Sequence, residues 1–330
     1  MNLKKFLITG LILTIPFATT VPTSAQTQIR ISSAAPVVSP LSTALNKFKQ
    51  KLETQFPGQL SIEYHPASAL FRQGTEIPAM QRGTLEMATP VLPEIETQLP
   101  EWGALGGAYV FRDLDHMLKV YRGEIGKEFF KDVADKMGIY LLEPLYLGTR
   151  TLNLRTDKQV MKPSDLAGIT LRMPPGPGFA AIAKALGANS MSMQATEMYL
   201  GLKTGAIDGQ DNPANMTRDW KLTEVTKQVI LTQHLVQPTF IAVSKPFFDK
   251  LPPDQQSAIR AAAKEAAEFQ IAGSRKDELD ALDEFRKDSK LKVVEPDVAA
   301  FKAAVQAEYK ASGLMDKWKP GLLNRIDAVN

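Results

Sequence analysis

Strand-type and helix-type patterns alternate between residues 28 and 88, and this alternation confines the chain to an open α/β sheet. Residues 28–33 (QIRISS) read as a strand. Residues 42–55 read as an amphipathic helix, with Leu45, Phe48 and Leu52 at helical spacing. Residues 60–64 alternate apolar and polar side chains and form the second strand. A short helix over 76–82 then leads into a third strand signal at 84–88.

The pattern continues, less regularly, toward the C-terminus. Residues 115–137 are largely helical, and 139–142 and 151–155 read as two further strands. Residues 161–166 predict a turn into a short helix with Ser164 as N-cap. The strand at 169–173 is cut off by Pro174-Pro175-Gly176-Pro177-Gly178. Helices follow at 179–186 and 196–204, then a strand and turn at 206–209. After Pro253 more than thirty residues are helical, beyond the usual 8–20. Ile259, Ala262, Ala263, Ala266 and Phe269 make one apolar stripe on this helix; Leu279, Leu282 and Phe285 make another. A helix of that length can pack against two domains.

The N-terminus sets the expected compartment. Lys4 and Lys5 precede an apolar run from Phe6 to about Thr20, and Thr23-Ser24-Ala25 resembles a signal-peptidase site. Residues 1–25 are therefore expected to be a cleaved export signal. The run is interrupted by Thr14 and Pro16 and falls short of the ~20 residues that a membrane-spanning helix needs. The chain has no cysteine, so it carries neither disulfides nor thiolate chemistry and must rely on core burial. The formal charge is +3, about +1 without Lys4 and Lys5, and no basic stripe marks a nucleic-acid surface.

Chemistry-bearing motifs are few. His65, His116 and His234 are far apart, without a close-spaced metal-ligand partner, and read as structural or surface residues. No H-E-x-x-H, G-x-S-x-G or phosphate-binding glycine loop occurs, so neither a catalytic site nor a cofactor or metal is expected. Two arginines stand out. Arg150 precedes an apolar strand, and Arg172 ends the strand before the Pro/Gly loop. Ligands of open α/β sheets bind at the carboxyl ends of strands, and an arginine there can fork onto a carboxylate. From the residues alone, an internal ion pair or a surface position is the favoured reading, because structural ion pairs are common.

An ordered set of motifs narrows the choice. Phe111-Arg112-Asp113-Leu114-Asp115-His116, Gly148-Thr149-Arg150 and Asp165-Leu166-Ala167-Gly168-Ile169-Thr170-Leu171-Arg172 come first. Leu186-Gly187-Ala188, Glu197-Met198-Tyr199-Leu200-Gly201-Leu202 and Thr204-Gly205-Ala206-Ile207-Asp208-Gly209-Gln210-Asp211-Asn212-Pro213 follow in order. With these, the chain from Ser32 onward resembles the binding proteins of tripartite ATP-independent periplasmic (TRAP) transporters, of the dicarboxylate and sialic-acid type. The resemblance implies two α/β domains hinged around a central cleft and tied by one long helix. We place domain I at 26–147 with 238–277, and domain II at 148–237 with 278–330. It implies that Arg172 clamps the ligand carboxylate, that Asn212 bonds the same region, and that Arg150 lines the cleft. It also implies a small organic acid as ligand, the small and large TRAP permease subunits as partners, and a monomeric periplasmic protein. A sensor working with a membrane receptor would use the same cleft.

Departures from the pattern shape the ligand expectation. Where the family often has Pro-x-Gly-Gln-Leu-Gly, this chain has Phe71 in place of the second glycine, within Pro66 to Glu76. Some relatives carry an aromatic residue at the position of Ala195, which leaves room here for a six-carbon chain or ring, and Phe179 is a candidate for the lost wall. Gln73, Glu76, Asn153 and Gln194 are candidates for the far end of the ligand. A dicarboxylate wants cations at both ends, whereas amides, hydroxyls and carboxylates around Gln73, Thr75 and Glu76 suit hydroxyls. A uronate or aldonate is therefore expected over a C4-dicarboxylate, with Arg72 as the residue that would reverse the choice. An aromatic or 2-oxo acid would need a more apolar pocket, and a sugar-acid enzyme would need a base that these motifs lack.

Overall fold

The computed structural model describes residues 26–330, so the export-signal reading of residues 1–25 lies outside the described residues. Among the described residues, nine strands form one mixed sheet: β1 (Thr27–Ser32), β2 (Leu60–His65), β3 (Met87–Ala88), β4 (Ile139–Leu154), β5 (Thr170–Met173), β6 (Asn189–Ser192), β7 (Gly209–Pro213), β8 (Gln228–Ser244) and β9 (Lys292–Val294). Their order is β2-β1-β3-β8-β4-β7-β5-β6, and β9 pairs off this path with residues 228–230 of β8. The first half of the helices is α1 (Pro40–Gln55), α2 (Glu76–Gln81), α3 (Leu92–Glu96), α4 (Leu114–Arg122), α5 (Glu124–Met137) and α6 (Pro177–Ala185). The second half is α7 (Met198–Thr204), α8 (Ala214–Asp219), α9 (Lys245–Phe248), α10 (Pro253–Lys287), α11 (Val298–Ala311) and α12 (Leu322–Asp327).

The expected α/β class holds, and the differences have local causes. The two strands expected at 139–142 and 151–155 are one continuous strand, β4. Register shifts at Leu141/Glu143, Tyr146/Gly148 and Arg150/Leu152 interrupt its alternation, so its sequence looks broken. β8 runs antiparallel to it and is buried at every position but one, so it lacks the alternation that marks a strand in sequence. The strand expected at 206–209 begins only at Gly209, because Gln210, Asp211 and Asn212 pair as a buried central strand. The helix over 115–137 is divided at Gly123. Ser164 does not cap its short helix; the Asp165 carboxylate instead accepts from the Met161 and Lys162 amides at 2.9 and 3.1 Å.

The 35-residue α10 ties the two halves together. Ile259, Ala262, Ala263 and Ala266 pack with Leu45, Phe48 and Leu52 of α1, and fully burying each of the larger side chains is worth ~1.5–3 kcal/mol. Farther along, Ala281 and Phe285 pack with Ala214, Val229 and Leu231 of the other half. Phe269 and Leu279 depart from the expected stripes and are exposed, Phe269 beneath the Lys47 ammonium at 4.8 Å. Midway, Gln270 reaches the β4 register shift. Its Nε2 donates to the Tyr146 carbonyl at 2.7 Å, and its Oε1 accepts from the Tyr146 amide at 3.1 Å. The side chain thereby satisfies both backbone polar groups of Tyr146. Gly148, next to the shift, has φ +134°, and a Cβ there would collide with Pro213.

Candidate ligand-binding site

A cleft lies between the two halves of the sheet. Arg150, Arg172, Phe179, Ala195 and Asn212 line one side, and Ser33, Gln73, Glu76 and Glu94 line the other.

Arg172 sits on β5, paired in register with Gln210 of β7 and Met191 of β6. Gly209 allows this close packing, since a Cβ there would run into Leu154 and the Asn153 carbonyl. The guanidinium is almost wholly buried, donating from Nε to the Met193 carbonyl at 2.8 Å and from Nη2 to Gln73 Oε1 at 3.4 Å. Among the described residues no carboxylate forms an ion pair with it. Burial, and then the like charge of Arg150, pull its pKa down to about 9, so it stays cationic at neutral pH. A buried cation without a counter-ion is a costly arrangement that a bound anion relieves.

Arg150 is different. Its Nε and Nη2 fork onto the two Asp211 carboxylate oxygens at 2.6 and 2.8 Å, and Nη2 also donates to the Asp211 carbonyl. His234 Nε2 lies 3.3 Å from the same carboxylate, and its Nδ1 is 2.8 Å from the Thr232 hydroxyl. Burial alone would raise Asp211, yet Arg150 and His234 hold it well below the usual carboxylate range. Burial also lowers the His234 pKa and favours the neutral ring, with Nε2 facing Asp211. The Phe179 ring lies 5.1 Å from the Arg150 guanidinium carbon and keeps its plane fixed. Arg150 is thus a neutralised, oriented wall of the cleft, and the open choice between ion pair and clamp resolves here toward an ion pair that still faces the cavity.

The remaining candidates divide. Gln73, Glu76, Phe179 and Asn212 line the cleft with the arginines. Asn153 does not: its Nδ2 donates to Thr226 Oγ1 and the Gln228 carbonyl at 2.8 and 3.1 Å, and its Oδ1 accepts from Gln210. The far-end role expected for Asn153 is corrected, because its amide is committed within the sheet. Gln194 is also outside the lining; its Nε2 donates to the Gln73 carbonyl at 3.3 Å and bridges the two lips. Phe71 packs against the core, whereas Arg72 points outward to Glu197 at 3.2 Å across the lips. Sequence reasoning missed Glu94, Trp220 and the Asp211–His234 support. A charge embedded in Val91-Leu92-Pro93-Glu94-Ile95 is the signal that would have singled out Glu94. Of the histidines, His116 and His234 are buried and hydrogen-bonded.

The family model for bacterial extracellular solute-binding protein, family 7, matches residues 31–314. A TRAP periplasmic solute-binding protein from Roseobacter denitrificans, solved with bound 3-deoxy-D-manno-oct-2-ulosonic acid, superimposes with a TM-score of 0.88 at 36% identity, covering 92% of this chain and all of the other. A Sulfurospirillum deleyianum relative, solved with succinate, gives 0.85 at 26% identity over 93% of this chain and all of its own. The 2,3-diketo-L-gulonate-binding periplasmic protein YiaO of Escherichia coli is 30% identical over 69% of each chain. The chain belongs to the family-7 bacterial extracellular solute-binding proteins, the periplasmic ligand-capturing components of TRAP transporters.

Proposed function

We propose that this protein captures a hydroxylated sugar acid by its carboxylate and delivers it, as an exported monomer, to the small and large membrane subunits of a TRAP transporter. The observation that carries the reading is Arg172, buried at the cleft with no carboxylate partner among the described residues. Asp211 neutralises Arg150, so the cleft offers one uncompensated cation and suits one ligand carboxylate. Asn212 and Arg150 orient that carboxylate beside Arg172. The 3-deoxy-D-manno-oct-2-ulosonic acid of the Roseobacter relative and the diketogulonate of YiaO are of this chemical type. The succinate of the Sulfurospirillum relative makes a C4-dicarboxylate the second reading.

Capture is coupled to closure of domain I (26–147 with 238–277) onto domain II (148–237 with 278–330). The hinge lies at the β4 register shift beside Gly148, where the chain also meets Gln237 and Pro238 of β8. Closure expels water from the arginine and its anion and strengthens their attraction. A thermal-shift screen over carboxylates tests the ligand class, since a ligand at ~100 times its Kd adds ~2.7 kcal/mol. Glucuronate, galacturonate or gluconate should stabilise the protein more than succinate or malate; the reverse order overturns the reading. Small-angle scattering at saturation should show a smaller radius of gyration, and an unchanged radius counts against closure.

A further inference from the structure

We propose that Glu76 and Glu94 form the selectivity element of the cleft. This carboxyl pair takes hydroxyl hydrogens from the end of the ligand remote from Arg172 and turns away any ligand with a second carboxylate there. The inference rests on the reading that Arg172 holds the first carboxylate.

Glu76 stands in the first turn of α2 and Glu94 on α3, and both line the cleft opposite the arginines. Their exposures are only 6% and 9%, so these are built-in groups and not solvated surface carboxylates. Glu76 Oε2 is buried with no hydrogen-bond partner among the described residues. One oxygen of Glu94 accepts from the Val91 amide at 3.1 Å, which leaves the other for a ligand. Among the described residues neither carboxyl lies in an ion pair. The charged groups around the cleft are Arg172 on β5, Arg150 on β4, and Asp211 and His234 behind Arg150 on β7 and β8. Glu96, also on α3, faces Gly103 and Gly178 instead of joining the pair.

Two buried carboxyls without a cation cannot both ionise cheaply. Burial pushes Glu76 up to about 7; burial, and then the charge of Glu76, push Glu94 up to about 8. Near neutral pH the pair therefore retains a proton and presents acceptors and a donor side by side. A ligand hydroxyl, itself donor and acceptor, satisfies both. A second ligand carboxylate would add another negative charge to the same small volume. The cleft is thus polarised, cationic where it holds the acid group and acidic where it holds the hydroxylated chain.

Calorimetry on the mature chain, with glucuronate, galacturonate, gluconate, succinate and malate at pH 5.5, 7 and 8.5, tests this. Wild-type protein should prefer the best sugar acid over succinate by roughly tenfold or more at pH 8.5, a lower bound well within what a site built to bond hydroxyls achieves. The preference should narrow toward pH 5.5 as the pair becomes fully protonated. Glu76→Gln, Glu94→Gln and the double variant should narrow it at pH 8.5, chiefly by tightening succinate. A preference unchanged both by pH in the wild type and by the substitutions overturns the inference and leaves the sugar-acid reading standing. Succinate or malate binding more tightly than every sugar acid, or no binding by any of the five, overturns both.

Discussion

The two ends of the cleft solve the problem of buried charge in opposite ways. At the Arg150 end every charge is answered: Asp211 forks onto the guanidinium, His234 supports Asp211, and Thr232 supports His234. At the Glu76–Glu94 end no cation among the described residues answers the carboxyls; Glu94 accepts from the Val91 amide and Glu76 Oε2 is left without a partner. Arg172 stands between these cases, hydrogen-bonded but not neutralised. A satisfied network makes a rigid wall, whereas unsatisfied groups make a place for something else to bind. Rigidity and recognition therefore reside in different residues of the same cavity.

The largest expected effect comes from removing the unneutralised cation. Arg172→Ala should lower affinity for the bound acid by about 30- to several-thousand-fold, the ~2–5 kcal/mol lost when one partner of a desolvated charge pair is truncated. Arg172→Lys should also bind poorly, because an ammonium cannot reproduce the planar fork. Calorimetry showing less than a roughly threefold loss for the alanine variant, well under 1 kcal/mol, would remove Arg172 from the ligand.

The satisfied end should respond through stability instead. Asp211→Asn strands Arg150 and should destabilise the fold by ~3–5 kcal/mol, measured by urea unfolding. If stability is unchanged while affinity collapses, Asp211 belongs to recognition and the contrast between the two ends fails. Crowding the pocket comes next. Ala195 lines the cleft, and Ala195→Phe should cost the larger sugar acids ~1–3 kcal/mol of binding through overpacking, with succinate much less affected.

The acid end has its own signature in pH. The folded pKa values of Glu76 and Glu94 lie above the ordinary carboxylate value, so the folded protein binds more protons than the unfolded chain between them. Their contribution to stability is fully present below about pH 4.5 and is lost as pH rises through about 7 to 8. Melting curves should show the Tm falling over this window, and Glu94→Gln should flatten the fall. The smallest effect is expected at the lip. Arg72 is 70% exposed in its pair with Glu197, so Arg72→Ala should change affinity by less than about threefold. A larger loss would mean that Arg72 reaches the ligand and would favour a dicarboxylate.

Much of the architecture was legible because periodicity survives wherever an element has one wet face. α1, β2 and the long α10 were read within a few residues from Leu45, Phe48, Leu52 and the alanine stripe. β8 escaped notice because burial on both faces removes alternation, and β4 looked like two strands because its register shifts break the pattern. The site was legible in part. Arg172 could be placed at the end of a short strand, but Asn153 looked as available as Gln73, since a sequence does not record which amides the sheet already occupies.

By itself the sequence determined the α/β class, the spanning helix, the absence of thiol chemistry and the arginines on offer, because spacing and composition act locally along the chain. The tertiary structure alone decided which charges are answered. Arg150 became a wall because Asp211 on a neighbouring strand and His234 on a third converge on it. Glu76 and Glu94 became an acid pair because α2 and α3 bury them together, raising the energy of a charge that water would otherwise have absorbed.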